Sequence, residues 1–136
     1  MDIGRALEFL REHHNAVLAT TRSDGTTQMS PITVGVDRDD RVVVSSRETA
    51  YKVKQLRARP HAAICAFTDR FYGEWVQVEG PVEVVSLPEA LEPLADYYRD
   101  IRGEHPDWDE YRAAMVSDKR VLIRLTVERA GPDRHG

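Results

Sequence analysis

The sequence predicts a small, mostly antiparallel β-barrel with helices packed outside it, in one domain. Three observations carry this. Six short segments rich in Val, Ile, Thr and Ala, each bounded by Gly, Pro, Asp or Ser, read as strands. Four stretches with apolar residues at helical spacing interrupt them. Two of the intervals between strands are short enough for hairpins, and six strands laid flat would leave open edges, so partial closure is the economical arrangement. A chain of 136 residues buries a core of this size without disulfides or metals.

The elements follow in order. Ile3, Ala6, Leu7 and Leu10 give residues 3–13 one apolar face, so this helix is expected to lie on the sheet. Residues 16–22 form the first strand, Ser23-Asp24-Gly25 turns the chain, and residues 26–37 pair back as a hairpin. Pro31 has no N–H to give a ladder, which places it at a bulge or an edge and leaves backbone groups near Gln28, Met29 and Ser30 for other partners. Residues 37–40 turn into a third strand, 41–46. Thr49 is the expected cap of a helix that points Ala50, Val53 and Leu56 inward and stops before Pro60. Residues 61–69 and 74–85 add two strands, the second mixing Trp75 and valines with Gln77 and Glu79. Ser86, Pro88 and Glu89 form a capping-box start for a helix striped by Leu91, Leu94, Ala95 and Tyr98. A shorter helix after Asp107 carries Trp108, Tyr111 and Met115. The last strand, 120–128, sets Val121, Ile123, Leu125 and Val127 on one face, and the tail, 130–136, is expected to be loose.

Charge is distributed unevenly. The chain has 19 Lys plus Arg against 23 Asp plus Glu, yet residues 45–61 hold Arg47, Lys52, Lys54, Arg57 and Arg59 beside one acid, Glu48. That stretch is +4 and the remainder −8. Local asymmetry of this kind is either a solvated helix face or a site for a small polyanion. A pI near 5.7 argues against a nucleic-acid binder. Charges flank each short apolar run of the N-terminus, so neither a signal peptide nor a membrane partner is expected, and a cytoplasmic location follows.

Ser45 and Ser46 end a strand just ahead of the helix that carries Lys52. Hydroxyls, a helix N-terminus and an ammonium together make a phosphate site, although the same residues could serve as caps and solvent charges. Trp75 could stack on a planar cofactor or plug a barrel end or seam. Cys65, within the apolar run His61 to Phe67 and without a partner cysteine, reads as a packed thiol. The histidines have no metal-ligand spacing, and no nucleophile elbow, dinucleotide fingerprint or phosphate loop is present.

The runs LATTRSDGTTQMSPI, RVVVSSRETAYKVKQLRARPHAAI and WVQVEGPVEVV resemble the flavin and deazaflavin split-barrel family related to pyridoxamine phosphate oxidase, over nearly the whole chain. YRDIRGEHPDWDEYRAAMVSDKRVLI is similar to the actinobacterial branch that uses the deazaflavin coenzyme F-420. The resemblance implies an FMN-binding split barrel and a homodimer with two cofactor sites between subunits. Trp75, Trp108, Tyr97 and Tyr98 are available for the dimer seam. It implies that Lys52 holds the cofactor phosphate with Ser45 and Ser46, that Gln28, Met29, Ser30 and Pro31 line the ring, and that Lys54 and Arg57 assist an acidic tail. Gln55 stands where relatives carry Asn, and Ala50 where they often carry a cation. The implied activity is hydride transfer to an electron-poor small molecule, with an FMN enzyme or a non-catalytic cofactor-binding protein as alternatives. No side chain is marked as the proton donor.

Overall fold

The computed structural model describes residues 1–70 and 72–132. Four helices flank one curled antiparallel sheet: α1 (Ile3–Glu12), β1 (Asn15–Thr21), β2 (Thr27–Thr33), β3 (Gly35–Val36), β4 (Val42–Arg47), α2 (Tyr51–Ala58), β5 (His61–Phe67), β6 (Trp75–Val85), α3 (Leu91–Arg102), α4 (Trp108–Ser117), β7 (Arg120–Leu125) and β8 (Arg129–Gly131). The strands run β2-β1-β5-β6-β7-β4-β3, with β8 added to β6.

The order explains the curl. β2 and β3 occupy opposite ends of the sheet, yet only Val34 separates them in the chain, so the sheet must bend until its ends meet. The single strand expected over 26–37 is therefore two. Val34 leaves the ladder because its N–H donates to His14 O at 2.8 Å and its carbonyl accepts from His14 Nδ1 at 2.8 Å.

β6 makes the other turn of the barrel. Its first part, to Pro81, pairs with β5, and its last four residues, Val82 to Val85, pair with β7. At the changeover, Thr126 N donates to Pro81 O and Glu128 N to Glu79 O, which brings the chain after β7 across Gly80. A Cβ on Gly80 would sit 1.9 Å from Thr126 O, so only glycine fits. This crossing also seats β8 on β6, Val78 opposite Ala130. Ala130 and Gly131 are thus in a strand, contrary to the loose tail expected, and the remainder of that tail from 133 lies outside the described residues.

The core fills the barrel with Leu18, Ile64, Val78, Ile123 and Leu125, lidded by Leu7 and Leu10 of α1 and by Val53 and Leu56 of α2. A second apolar cluster joins Val43 and Leu122 to Ala90 and Leu94 on the outer side, so β4 and β7 are buried on both faces. Two expected caps are absent. α2 begins at Ala50 without a side-chain cap while Thr49 is exposed, because Ala50 packs on the core and Glu48 N is held by Lys119 O. α3 begins four residues later than the capping box implied. Its N-cap is Ala90, and the Ser86 hydroxyl instead accepts from Arg57 Nη2 at 2.8 Å.

Candidate functional site

A wide-mouthed cleft of about 850 Å³ opens where β2, β4, β7 and the starts or ends of α2, α3 and α4 converge. Four cations face it. Arg47 ends β4, Arg120 begins β7, Lys52 stands in the first turn of α2, and Arg102 in the last turn of α3. Among the described residues, the lining contains no Asp or Glu. Among the described residues, none of the four side chains makes a hydrogen bond or ion pair, and Arg120 Nε is buried without an acceptor.

Strand register forces part of this arrangement. Arg47 and Arg120 are direct cross-strand partners, a placement in which like charges repel. Burial first, and then Arg120, lowers the proton affinity of Lys52. A cluster of this kind is stabilised by an anion, and the uncapped N-terminus of α2 adds its dipole to the same cleft. Ser45 and Ser46 stand at the neighbouring strand end, Ser46 buried.

Tyrosines form the opposite wall. Tyr97 donates its hydroxyl to Thr33 O at 2.7 Å, and burial raises its pKa against the contrary pull of the Ser45 main chain, Arg102 and Arg120. It bridges the seam between the two ends of the sheet. Tyr111 donates to Leu94 O at 2.8 Å and, chiefly through burial, is pushed up to about 12. Tyr98 packs its ring against Tyr111, His105 and Trp108 at 5.0, 5.1 and 5.9 Å.

Of the residues singled out in the sequence, the structure brings Pro31, Ser45, Ser46 and Lys52 together in this cleft. Gln28, Met29 and Ser30 lie next along β2 but outside its lining. Gln28 is tied up: its Oε1 accepts from Gln55 Nε2 at 2.6 Å, and Gln55 Oε1 accepts from Thr20 Oγ1 at 2.6 Å. Met29 is 70% exposed. Lys54 is exposed on α2 and Trp75 is half-buried opposite Phe67, both away from the cleft. Arg57 is paired with Glu48, and Arg59 Nε donates to Thr21 O at 2.9 Å. The surplus positive charge in the cleft comes from Arg47, Arg102 and Arg120 instead. Arg102 and Arg120 escaped notice because they stand far along the chain from Lys52, with no local spacing that ties them to it.

The chain matches the family model described as pyridoxamine 5'-phosphate oxidase over residues 4–132. It belongs to the pyridoxamine 5'-phosphate oxidase family. Solved structures similar to this family member agree on the fold. A conserved hypothetical protein from Mycobacterium tuberculosis is 22% identical, with 96% of this chain and 82% of that one covered and a TM-score of 0.78. An F420 reductase is 23% identical over 91% of this chain and 94% of its own, TM-score 0.69. A heme storage protein from Vibrio cholerae is 15% identical over 96% and 94%, TM-score 0.71. With the curled antiparallel sheet and outer helices, these similarities make the fold the split barrel of the pyridoxamine 5'-phosphate oxidase family.

Proposed function

We propose that the chain is an oxidoreductase that holds a phosphate-bearing deazaflavin, coenzyme F-420, in this cleft and uses it to reduce an electron-poor small molecule. The observation that carries the reading is the cleft itself: four cations with no counter-charge among the described residues of its lining, two of them opposed across strands. Ser45, Ser46, Lys52 and the start of α2 fit a phosphate in charge and donor chemistry. When bound, the cofactor supplies a hydride, two electrons and a proton, to the acceptor. The chain's own residues bind, orient and screen from water. Tyr97 and Tyr111 both spend their hydroxyl protons on main-chain carbonyls and hold them tightly, so neither supplies the proton that completes reduction.

The choice of coenzyme F-420 over FMN is supported by the sequence motif that begins at Tyr98 and by the similarity to an F420 reductase. A non-catalytic cofactor-binding role is the second reading, favoured by the absence of a poised acid or base among the described cleft residues.

The site is completed, in this reading, by a second copy of the chain. The outward face of β2, β1 and β5 is apolar and uncovered: Met29 and Pro31, Val17 and Ala19, and Ala63, Cys65 and Phe67 are all partly or fully exposed. Closing that face over a partner would bury it beside the cleft. Titrating the purified protein with coenzyme F-420 and with FMN at two salt concentrations, followed by tryptophan fluorescence, tests the assignment. Tight, salt-sensitive binding of the deazaflavin is expected; preference for FMN reassigns the cofactor, and binding of neither removes the reading.

A further inference from the structure

We propose that Arg102 and Arg120, with Tyr98 and Tyr111 beside them, form a subsite for a carboxylate on the hydride acceptor, so that the preferred acceptors are flat conjugated carboxylates. The inference rests on the reading that Ser45, Ser46 and Lys52 hold the cofactor phosphate.

The cleft charge leaves room for an anion beyond the cofactor phosphate. A cofactor phosphate carries at most about two negative charges at neutral pH, and among the described residues the cleft presents four cations and no acid. Arg102 lies in the last turn of α3, which carries Tyr98, and Arg120 begins β7 directly after α4, which carries Tyr111, so both enter the cleft from its tyrosine side. Arg120 Nε is buried with no acceptor, an arrangement that costs free energy until an oxygen reaches it. Its cross-strand neighbour, Arg47, adds to that cost.

The surroundings choose the kind of anion. Tyr98, Tyr111 and Met115 line the same cleft, so a bound carboxylate there lies against aromatic rings and a thioether. A flat conjugated body gains from that wall. A flexible, strongly hydrated chain of acidic residues does not, which separates an acceptor's carboxylate from the acidic tail of the cofactor.

The test uses a naphthoquinone carboxylate and its uncharged methyl ester, titrated by calorimetry into the protein with and without coenzyme F-420. Wild type is expected to bind the acid about tenfold or more tightly than the ester, a preference that Arg102→Gln and Arg120→Gln each abolish. The melting temperature of ligand-free Arg120→Gln should equal or exceed that of wild type, because repulsion from Arg47 is relieved; a purely structural arginine would give the reverse. Equal binding of acid and ester, or a preference that survives both substitutions, overturns the proposal. So does a pattern in which the two variants lose only affinity for coenzyme F-420 relative to FMN, since the arginines would then serve the cofactor's tail. Failure of the phosphate reading shows separately, as cofactor affinity unchanged by Lys52→Ala, while the acid-over-ester preference is still measured on the cofactor-free protein.

Discussion

Gly80 and Lys52 are the residues on which fold and site depend most directly. Gly80 lies under the Thr126 carbonyl, and a methyl group there would have to displace backbone that carries two ladder hydrogen bonds. Gly80→Ala is expected to destabilise the protein by about 3 kcal/mol or more, read from urea unfolding, with β8 lost first. Lys52 lines the cleft with Ser45, Ser46 and Arg120, partly withdrawn from water. Lys52→Ala should weaken cofactor binding by about 2 kcal/mol, on the order of thirtyfold, without lowering the melting temperature of the ligand-free protein. An unchanged dissociation constant takes Lys52 out of the site.

At the scale of elements, α3 and α4 form the wall of the cleft only as a pair. Tyr111 fastens them through Leu94 O, and Arg112 of α4 reaches Glu92 of α3 at 2.9 Å. Tyr111 has its pKa raised from 10.0 to about 12, so the folded state keeps a proton that the unfolded chain releases. Stability from this group is complete below pH 10 and falls as pH rises toward about 12. Denaturant midpoints measured across that range should drop for wild type and drop less for Tyr111→Phe, which itself loses about 1 kcal/mol at neutral pH with the hydrogen bond. In acid the sign is opposite. Arg57 holds Glu48, and Arg112 holds Glu92, below the usual carboxylate range, so these links persist above about 4.5 and are lost as pH falls through the lowered values. Both pairs lie at the surface and contribute little each.

For the molecule as a whole, charge and closure matter together. The chain is acidic overall, so a basic cleft on it attracts small anions while repelling other polyanions, and salt should weaken cofactor binding by screening. The apolar outer face of β2, β1 and β5 predicts a dimer. Sedimentation equilibrium should give twice the mass of 15.5 kDa at micromolar concentration, and Cys65→Glu, which sets a charge in that face, should shift the protein to monomers and weaken the cofactor with it. A wild-type monomer would remove the partner from the site.

How much of this was legible depends on range. Every helix and most strands followed from periodicity and turn residues, since those signals are local: Ile3 to Leu10 for α1, Val53 and Leu56 for α2, the turn at Ser23-Asp24-Gly25 for the β1–β2 hairpin. Part of the cleft lining was visible for the same reason, because Ser45, Ser46 and Lys52 are near one another in the chain. The break at Val34, the strand at Arg129–Gly131 and the displaced start of α3 were not, because each is decided by a contact with a distant segment: His14, Gly80 and Arg57. Arg102 and Arg120 were invisible on the same ground. By itself the sequence determined the elements, their alternation of apolar and polar faces, and a cationic helix start. Only the tertiary structure decided that a sheet whose ends share one chain must curl, and that its curl gathers four cations into one cleft, since charge repulsion and burial act through space and leave no trace in spacing.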